Sequence, residues 1–293
     1  MTDTRRDLAH VLAHLRLPLQ LTLAPLYLWG VFGVGGGWST ATIVAFVAVH
    51  VFLYGGTTLY NSYYDRDEGP IAGMERPVPL PPWALAFSLV WQGVGLVLAA
   101  FAGLPLAVFY VVYAAMGALY SHPRPRLKAR PYASTLIIFL LQGMGGVLAG
   151  WLAGGGSPAS LLSARFALMA LVAACTTIGL YPLTQIYQVE EDAARGDRTL
   201  AMALGARRSF LFALAMFIVA AAAGLRALAT MGRPLDGLVL AGGYALLGAL
   251  TAVVGLQFAH QPLLVNFRRL VFVQFAGGAT FAVFVVLQFA HLF

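Results

Sequence analysis

The chain has 293 residues, of which 60% are hydrophobic and only 10% are charged, and its formal net charge is +7. A soluble domain carries about 25% charged residues, so this composition excludes a soluble globular protein and favours one embedded in a bilayer. The single cysteine, Cys175, excludes an intramolecular disulfide and a cysteine-based metal site. We interpret Cys175 as a small packing residue.

A helix needs about 20 apolar residues to cross the hydrocarbon core of a membrane. Nine stretches satisfy this and predict an all-α integral membrane protein: residues 17–34, 39–64, 82–103, 104–121, 133–154, 162–188, 209–229, 235–259 and 270–292. The first follows Arg5 and Arg6, as a signal peptide would. We expect it to be retained, because it is long, no small-residue cleavage site follows it, and eight more spans do.

Lys and Arg are distributed unequally between the two ends of these spans. Of the 18 such residues, only Arg165, Arg226 and Arg233 lie on one side, and the other 15 lie on the other side. By the positive-inside rule the richer side is cytoplasmic, which predicts a cytoplasmic N-terminus and an external C-terminus. The basic charge thus reflects orientation, and we expect no nucleic-acid partner.

Acidic residues are concentrated in two segments, both on the predicted cytoplasmic side. Eight of the eleven acids belong to them: Asp65, Asp67, Glu68 and Glu75 after the second span, and Glu190, Glu191, Asp192 and Asp197 after the sixth. A single cluster of this kind is usually a solvated loop. Two clusters on the same side indicate a shared site.

Helical spacing extends each acidic segment back into the membrane. Residues at i, i+4 and i+7 share a helical face, and two such stripes match at an offset of 127 residues: Tyr54, Thr57, Asn61 and Asp65, and then Tyr181, Thr184, Gln188 and Asp192. The offset predicts an internal repeat within one domain, 1–293, with helices 1–4 over 17–121, helices 5–8 over 133–259, and a ninth over 270–292. The first stripe continues to His50, which we interpret as a packing residue rather than a base. The tyrosines remain open to an alternative reading as interfacial aromatics.

Polar stripes do not face lipid, because unsatisfied polar groups are costly there. We therefore expect them to face each other across a central cavity whose mouth carries oxygen ligands suited to Mg²⁺. The candidate metal ligands are Asn61, Asp65, Glu68, Gln188 and Asp192. In the basic loop 121–130, Arg126 and Lys128 are candidates to bind a diphosphate, although the loop could serve orientation alone.

Three segments together resemble the UbiA superfamily of intramembrane prenyltransferases. Residues 61–70, Asn-Ser-Tyr-Tyr-Asp-Arg-Asp-Glu-Gly-Pro, are similar to its first aspartate-rich motif. Residues 187–200, which include Gly-Asp-Arg-Thr-Leu at 196–200, are similar to the second. Residues 120–128 resemble the family's loop after helix four. The resemblance covers essentially the whole chain.

The resemblance implies a Mg²⁺-dependent transfer of a prenyl group from a prenyl diphosphate to an acceptor through an allylic cation. It assigns catalysis to Asp65, Asp192, Tyr54 and Tyr181, and diphosphate binding to Asn61, Arg126, Lys128, Gln188 and Arg198. The sequence departs from the family pattern at Gly69 and Gln188, where acids are usual. We expect Glu68, placed on the helical face of Asn61 and Asp65, to replace the missing carboxylate.

Other functions remain possible at this stage. A terpene cyclase would trap the same cation internally, and a related transferase could use a prenyl phosphate as its acceptor. A transporter of an anionic substrate or a non-catalytic lipid binder would belong to a different class. Charges clustered at one end of the spans, rather than midway along them, favour an enzyme. We expect its partners to be an unidentified acceptor and membrane lipid, with no obligate protein partner. We expect a bacterial or archaeal cell membrane, with the mouth of the site on the cytoplasmic side.

Overall fold

The computed structural model describes residues 3–71 and 73–290. Within these residues nine helices are long and apolar enough to cross a membrane, and we number them spans 1 to 9. Their bounds are Thr4–Gly33, Thr40–Asp65, Ala84–Ala102, Leu104–Ser121, Pro131–Ala153, Ala164–Thr184, Ala206–Thr230, Pro234–His260 and Leu263–Ala290. The predicted all-α architecture of nine spans is confirmed, and the predicted end of the last span at 292 lies outside the described residues.

Span 1 begins earlier than predicted and is not straight. A helix over Asp3–His14 precedes the apolar stretch, and its exposed residues include Leu8 and Leu12. At Arg16 the backbone is left-handed, with φ of 47°, and Ala24–Gly33 then completes the span. This bend places Arg16 at the end of the bundle where both acidic segments lie.

Span 6 ends earlier than predicted because of Pro182. Proline has no N–H to continue the helical hydrogen bonds, and the α-helix stops at Leu180, followed by a 3₁₀ turn over Tyr181–Thr184. The chain then turns and starts a separate short helix, Val189–Ala194. The prediction of one helix from 162 to 188 is therefore wrong at its C-terminal end.

Spans 1 and 5 pack with their backbones almost in contact. A Cβ atom added to Gly30 would lie 2.1 Å from the carbonyl oxygen of Val147, and one added to Gly150 would lie 1.9 Å from that of Tyr27. Small residues allow such close approach between membrane helices. This contact forms a tight part of the core, in which Trp29 is fully buried.

Candidate functional site

Two cavities meet at the end of the bundle that carries the acidic segments. The larger, which we call the apolar chamber, has a volume of about 560 Å³. The smaller, which we call the ionic chamber, has a volume of about 200 Å³. The two chambers share lining residues from spans 1, 2, 4 and 6: Arg16, Asn61, Tyr120, Tyr181 and Thr184.

Both acidic segments contribute to the ionic chamber. Its lining includes the carboxylates Asp65, Asp67, Asp192 and Asp197, the amides Asn61 and Gln188, and the cations Arg16, Lys128 and Arg195. The structure therefore brings together Asn61, Asp65, Gln188 and Asp192, as the matched stripes predict.

Span 2 delivers the first set of side chains because it stays helical as far as Asp65. The amide nitrogen of Asn61 donates to Oδ2 of Asp65 at 2.8 Å, one turn along the same face. Ser121 donates to Oδ1 of Asn61 at 2.8 Å. The ammonium of Lys128 bonds both Asp65 and, at 3.2 Å, Oδ1 of Asn61. The amide and carboxylate are thus held in one orientation.

The predicted position of Glu68 is wrong. Span 2 ends at Asp65, where Arg66 adopts a left-handed conformation with φ of 50°. Beyond that turn the helical spacing no longer applies, so Glu68 does not share the face of Asn61 and Asp65. Glu68 is exposed and does not line the ionic chamber, whereas Asp67 lines it and its side chain is 6% exposed.

The short helix Val189–Ala194 delivers the second set. Asp192 and Arg195 lie three residues apart, and Nη2 of Arg195 donates to Oδ1 of Asp192 at 2.8 Å. Burial raises the pKa of the Asp192 carboxyl, although Arg195 acts in the opposite direction. Burial also lowers the pKa of Arg195, but its hydrogen bonds to Asp192 and Asp67 outweigh this and raise it overall. Arg195 therefore remains a cation.

The basic loop after span 4 separates its two candidate cations. Arg126 donates to both oxygens of Asp197, at 2.6 and 2.7 Å, and this hydrogen bond raises the pKa of Arg126. It does not line the ionic chamber, but its Nη2 lies 3.6 Å from Oδ1 of Asp65. Lys128 does line the chamber.

Arg198 is not where the resemblance implies. Its side chain is exposed and does not line the ionic chamber, and its backbone N–H donates to the carbonyl oxygen of Ala129 at 3.1 Å. Arg195 lines the chamber in its place. The reason is local, because Asp197 turns inward toward Arg126 and the next residue along the chain then points outward.

The predicted tyrosines lie in the chamber walls. Tyr181 lines both chambers, and its hydroxyl lies 2.9 Å from that of Tyr120. Tyr54 lines the apolar chamber, and its buried hydroxyl has no hydrogen-bond partner among the described residues. His50 lines neither chamber and stacks on Phe46 with ring centroids 4.2 Å apart, as a packing residue does. A π-helical segment, Ala48–Tyr54, changes the spacing between His50 and the stripe.

Several residues that line the ionic chamber have no role in the sequence-based prediction, among them Arg16, Asp67, Tyr120 and Arg195. Arg195 could have been found, because it is three residues after Asp192 and three-residue spacing places side chains together on a helix. Tyr120 lies one residue before Ser121 in a segment already singled out. Arg16 and Asp67 depend on left-handed turns at residues 16 and 66, for which the sequence carries no clear signal.

The donor set of the ionic chamber fits Mg²⁺. Among the described residues, no three His, Cys, Asp or Glu side chains are gathered closely enough to enclose a metal ion on their own. Mg²⁺ does not need such a cage, because it commonly takes one or two carboxylates and completes its coordination with water and substrate phosphates. Asp65 and Asp192, with Asn61 and Gln188 as neutral oxygen ligands, provide that kind of partial site.

The apolar chamber has a different character. Arg16, at the junction, is the only charged residue in its described lining, and the walls from spans 8 and 9 are mostly aliphatic and aromatic. An ionic compartment therefore continues into an apolar one within the bundle of spans.

The chain belongs to the UbiA prenyltransferase family, whose model matches residues 23–275. Over 193 residues it is 31% identical to digeranylgeranylglyceryl phosphate synthase of Natronomonas pharaonis, a match that covers 64% of this chain and 66% of that one. Over 159 residues it is 30% identical to protoheme IX farnesyltransferase of Aeropyrum pernix, covering 53% and 51%. The matched part of the chain thus spans between half and two thirds of the length of these relatives.

Solved structures show the same fold. A UbiA homolog from Archaeoglobus fulgidus bound to GPP and Mg²⁺ superimposes with a TM-score of 0.71 at 16% identity, over 96% of this chain and 99% of that chain. The apo structure of a UbiA homolog from Aeropyrum pernix K1 gives a TM-score of 0.65 at 19% identity, over 90% and 97%. The resemblance inferred from the three sequence segments is confirmed at the level of family and fold.

Proposed function

We propose that this protein is a Mg²⁺-dependent prenyltransferase that moves a prenyl group from a prenyl diphosphate to a lipid-soluble acceptor within the membrane. The observation that carries the proposal is the shared wall of the two chambers. A diphosphate is a polyanion and a prenyl tail is a hydrocarbon, so one molecule of this class fits across both. The family's description and the homolog bound to GPP and Mg²⁺ support the same substrate.

Each group of chamber residues has a distinct role in this proposal. Asp65 and Asp192 supply carboxylate oxygens to the metal from the two acidic segments. Asp67, rather than Glu68, supplies the further carboxylate of the first segment. When bound, Mg²⁺ would neutralise charge on the departing diphosphate. Lys128 and Arg195 line the ionic chamber and would bind the diphosphate oxygens there.

The chemistry follows from the position of the junction. The bond between the first prenyl carbon and the diphosphate oxygen breaks, and its electron pair leaves with the diphosphate. The resulting allylic cation lies beside Tyr120 and Tyr181, whose ring faces can stabilise it. The apolar chamber excludes water that would quench it. The acceptor then attacks the same carbon and loses a proton.

The acceptor reaches the site from the lipid side. The chamber walls from spans 8 and 9 include Val239, Leu246 and Val283, which are 65%, 57% and 61% exposed. Such a wall suits entry of a hydrophobic acceptor between helices. The relatives named digeranylgeranylglyceryl phosphate synthase make a prenylated glyceryl phosphate lipid the first acceptor class to test.

The test uses purified protein in nanodiscs with Mg²⁺, prenyl diphosphates of several lengths, and either glyceryl phosphate lipids or phenolic acceptors. Diphosphate release and the lipid products, identified by mass spectrometry, are the measurements. We expect a prenylated acceptor only when Mg²⁺ is present. A cyclised hydrocarbon without acceptor would indicate a cyclase, and tight binding with no product would indicate a carrier.

We also propose that the charged end of the bundle faces the cytoplasm, because 15 of the 18 Lys and Arg residues flank it. The single cysteine makes a labelling test simple, since Cys175→Ala removes the only thiol. In that background, Arg124→Cys should be protected from an impermeant thiol reagent in intact cells, whereas Ser157→Cys should be labelled. The reverse pattern would invert the proposed orientation.

A further inference from the structure

One guanidinium joins the two acidic segments. Nη1 of Arg195 donates to Oδ1 of Asp67 at 2.6 Å, while Nη2 donates to Oδ1 of Asp192 at 2.8 Å. The same Nη1 lies 3.4 Å from the backbone carbonyl oxygen of Asp65. Arg195 is therefore bound at once to a carboxylate that follows span 2 and to one that follows span 6.

A second link keeps these segments in register. The carboxylate of Glu191 accepts from the backbone N–H of Glu68 at 2.9 Å and from that of Gly69 at 3.3 Å. A Cβ atom at position 69 would lie 2.7 Å from Oε2 of Glu191, so a side chain there would displace the carboxylate. Gly69 and Glu191 together hold Asp67 within reach of Arg195.

Cations already pair with all four carboxylates that line the ionic chamber. Lys128 pairs with Asp65, Arg126 with Asp197, and Arg195 with both Asp67 and Asp192. A divalent cation that takes Oδ1 of Asp67 and of Asp192 would displace the guanidinium, and one that takes their other oxygens would lie close beside it. In either position the two cations repel each other at short range. An incoming diphosphate removes this conflict, because its oxygens offer the displaced guanidinium new charge-assisted hydrogen bonds.

We propose that Arg195 is an ion-pair exchange residue. Without ligands it neutralises Asp67 and Asp192, and when Mg²⁺ and a prenyl diphosphate bind together it transfers its hydrogen bonds to the diphosphate. Mg²⁺ alone then binds weakly, and Mg²⁺ and the prenyl diphosphate each strengthen the binding of the other. This inference rests on the proposed function, because it takes Mg²⁺ and a prenyl diphosphate as the ligands of the chamber.

Calorimetric titration of the protein in nanodiscs measures this exchange directly. Mg²⁺ is added alone and then with geranyl S-thiolodiphosphate, an unreactive analogue. For the wild type we expect the analogue to tighten Mg²⁺ binding by a factor within the range of about 5 to 150 typical of coupled sites. Arg195→Gln should tighten binding of Mg²⁺ alone by roughly two- to fivefold, as expected for removal of one partly exposed ion-pair competitor. It should also lower the coupling factor, and the coupling that is left reflects direct contact between Mg²⁺ and the diphosphate oxygens.

Matched variants separate exchange from a general loss of charge or of structure. Arg207→Gln makes the same charge change at an exposed residue of span 7 and should behave as the wild type. Arg195→Lys keeps the positive charge, so the binding of Mg²⁺ alone should stay weak. Gly69→Ala should lower the coupling factor because it displaces Glu191. Glu190→Gln, at the exposed neighbouring residue, should not change it.

Two results have different meanings. If the wild type shows coupling and Arg195→Gln either retains it undiminished or binds Mg²⁺ alone more weakly, the exchange inference is overturned while the proposed function stands. If the wild type binds neither Mg²⁺ nor the analogue, the proposed function itself is overturned. Unfolding temperatures of each variant show whether a loss reflects misfolding, and in that case the Arg195→Lys result decides.

Discussion

The two acidic segments follow spans 2 and 6, and they reach the ionic chamber by different backbone conformations. Span 2 stays helical as far as Asp65, with a π-helical segment over Ala48–Tyr54. In span 6, Pro182 ends the α-helix, and Asp192 lies on a separate short helix. The side chains of the second stripe reach the chamber although no single helix carries all of them. This is possible because several packed segments, rather than one helix, form the chamber wall.

The two segments also differ in how their acids are paired. Asp65 is held by Lys128, 63 residues away in the basic loop, whereas Asp192 is held by Arg195, three residues away at the end of its own short helix. The first segment therefore depends on long-range packing, and the second carries its own partner. The following changes test how far this asymmetry reaches into function.

The largest expected effect comes from Asp65 and Asp192, the carboxylates of the two polar stripes. Asp65→Asn and Asp192→Asn should each lower prenyl transfer by about 10²- to 10³-fold, the effect of losing one preorganised electrostatic group at a reacting centre. Diphosphate release in nanodiscs is the measurement, with Glu190→Gln as the control. Full activity in the variant that carries both changes would remove the metal-site assignment altogether.

A smaller effect distinguishes Asp67 from Glu68 within the first segment. Asp67→Asn should weaken Mg²⁺-dependent binding of a prenyl diphosphate by roughly tenfold, because a buried carboxylate of the chamber is lost. Glu68→Gln should have no measurable effect, since the exposed side chain does not line the chamber. Equal effects of the two changes would contradict the placement of Asp67.

Tyr181 and Tyr54 also differ in how their side chains are paired, and this difference can be tested in the chemical step. The hydroxyl of Tyr181 is paired with that of Tyr120, whereas that of Tyr54 has no partner among the described residues. Tyr181→Phe should lower kcat by roughly fivefold, which corresponds to the loss of one hydrogen bond worth about 1 kcal/mol. Tyr54→Phe keeps the ring and should change kcat less. A change confined to KM in both would assign the tyrosines to binding instead.

The smallest effect is expected at Glu75, the acid of the first segment that pairs outside the chamber. Its hydrogen bond from Arg268 lowers the pKa of the Glu75 carboxyl. A lowered pKa means that the pair stabilises the folded protein above the ordinary carboxyl pKa, and that this stabilisation is lost as the pH falls through the lowered value. Glu75→Gln should leave activity unchanged and lower the unfolding temperature only slightly at pH 7. Any difference from the wild type should disappear in acid.

Much of the candidate site was accessible from spacing alone. The pairs Asn61–Asp65 and Gln188–Asp192 were identified because four-residue spacing is a local property of helices. Glu68 and Arg198 were placed wrongly because each lies beyond the end of a helix, where a single left-handed residue or an inward-facing neighbour changes the direction of the next side chain. The predicted repeat and the orientation in the membrane stay predictions.

Hydrophobicity and charge along the chain were sufficient for the nine spans and for the clustering of acids at one end, because each is a sum over local residues. Three short segments were sufficient for the family. The tertiary structure decided which side chains enter the ionic chamber and how they are paired. Asp67, Arg195 and Lys128 meet there only because the turn at Arg66, the break at Pro182 and the basic loop come together in space. Such pairings depend on contacts between residues more than 60 positions apart, which no local pattern specifies.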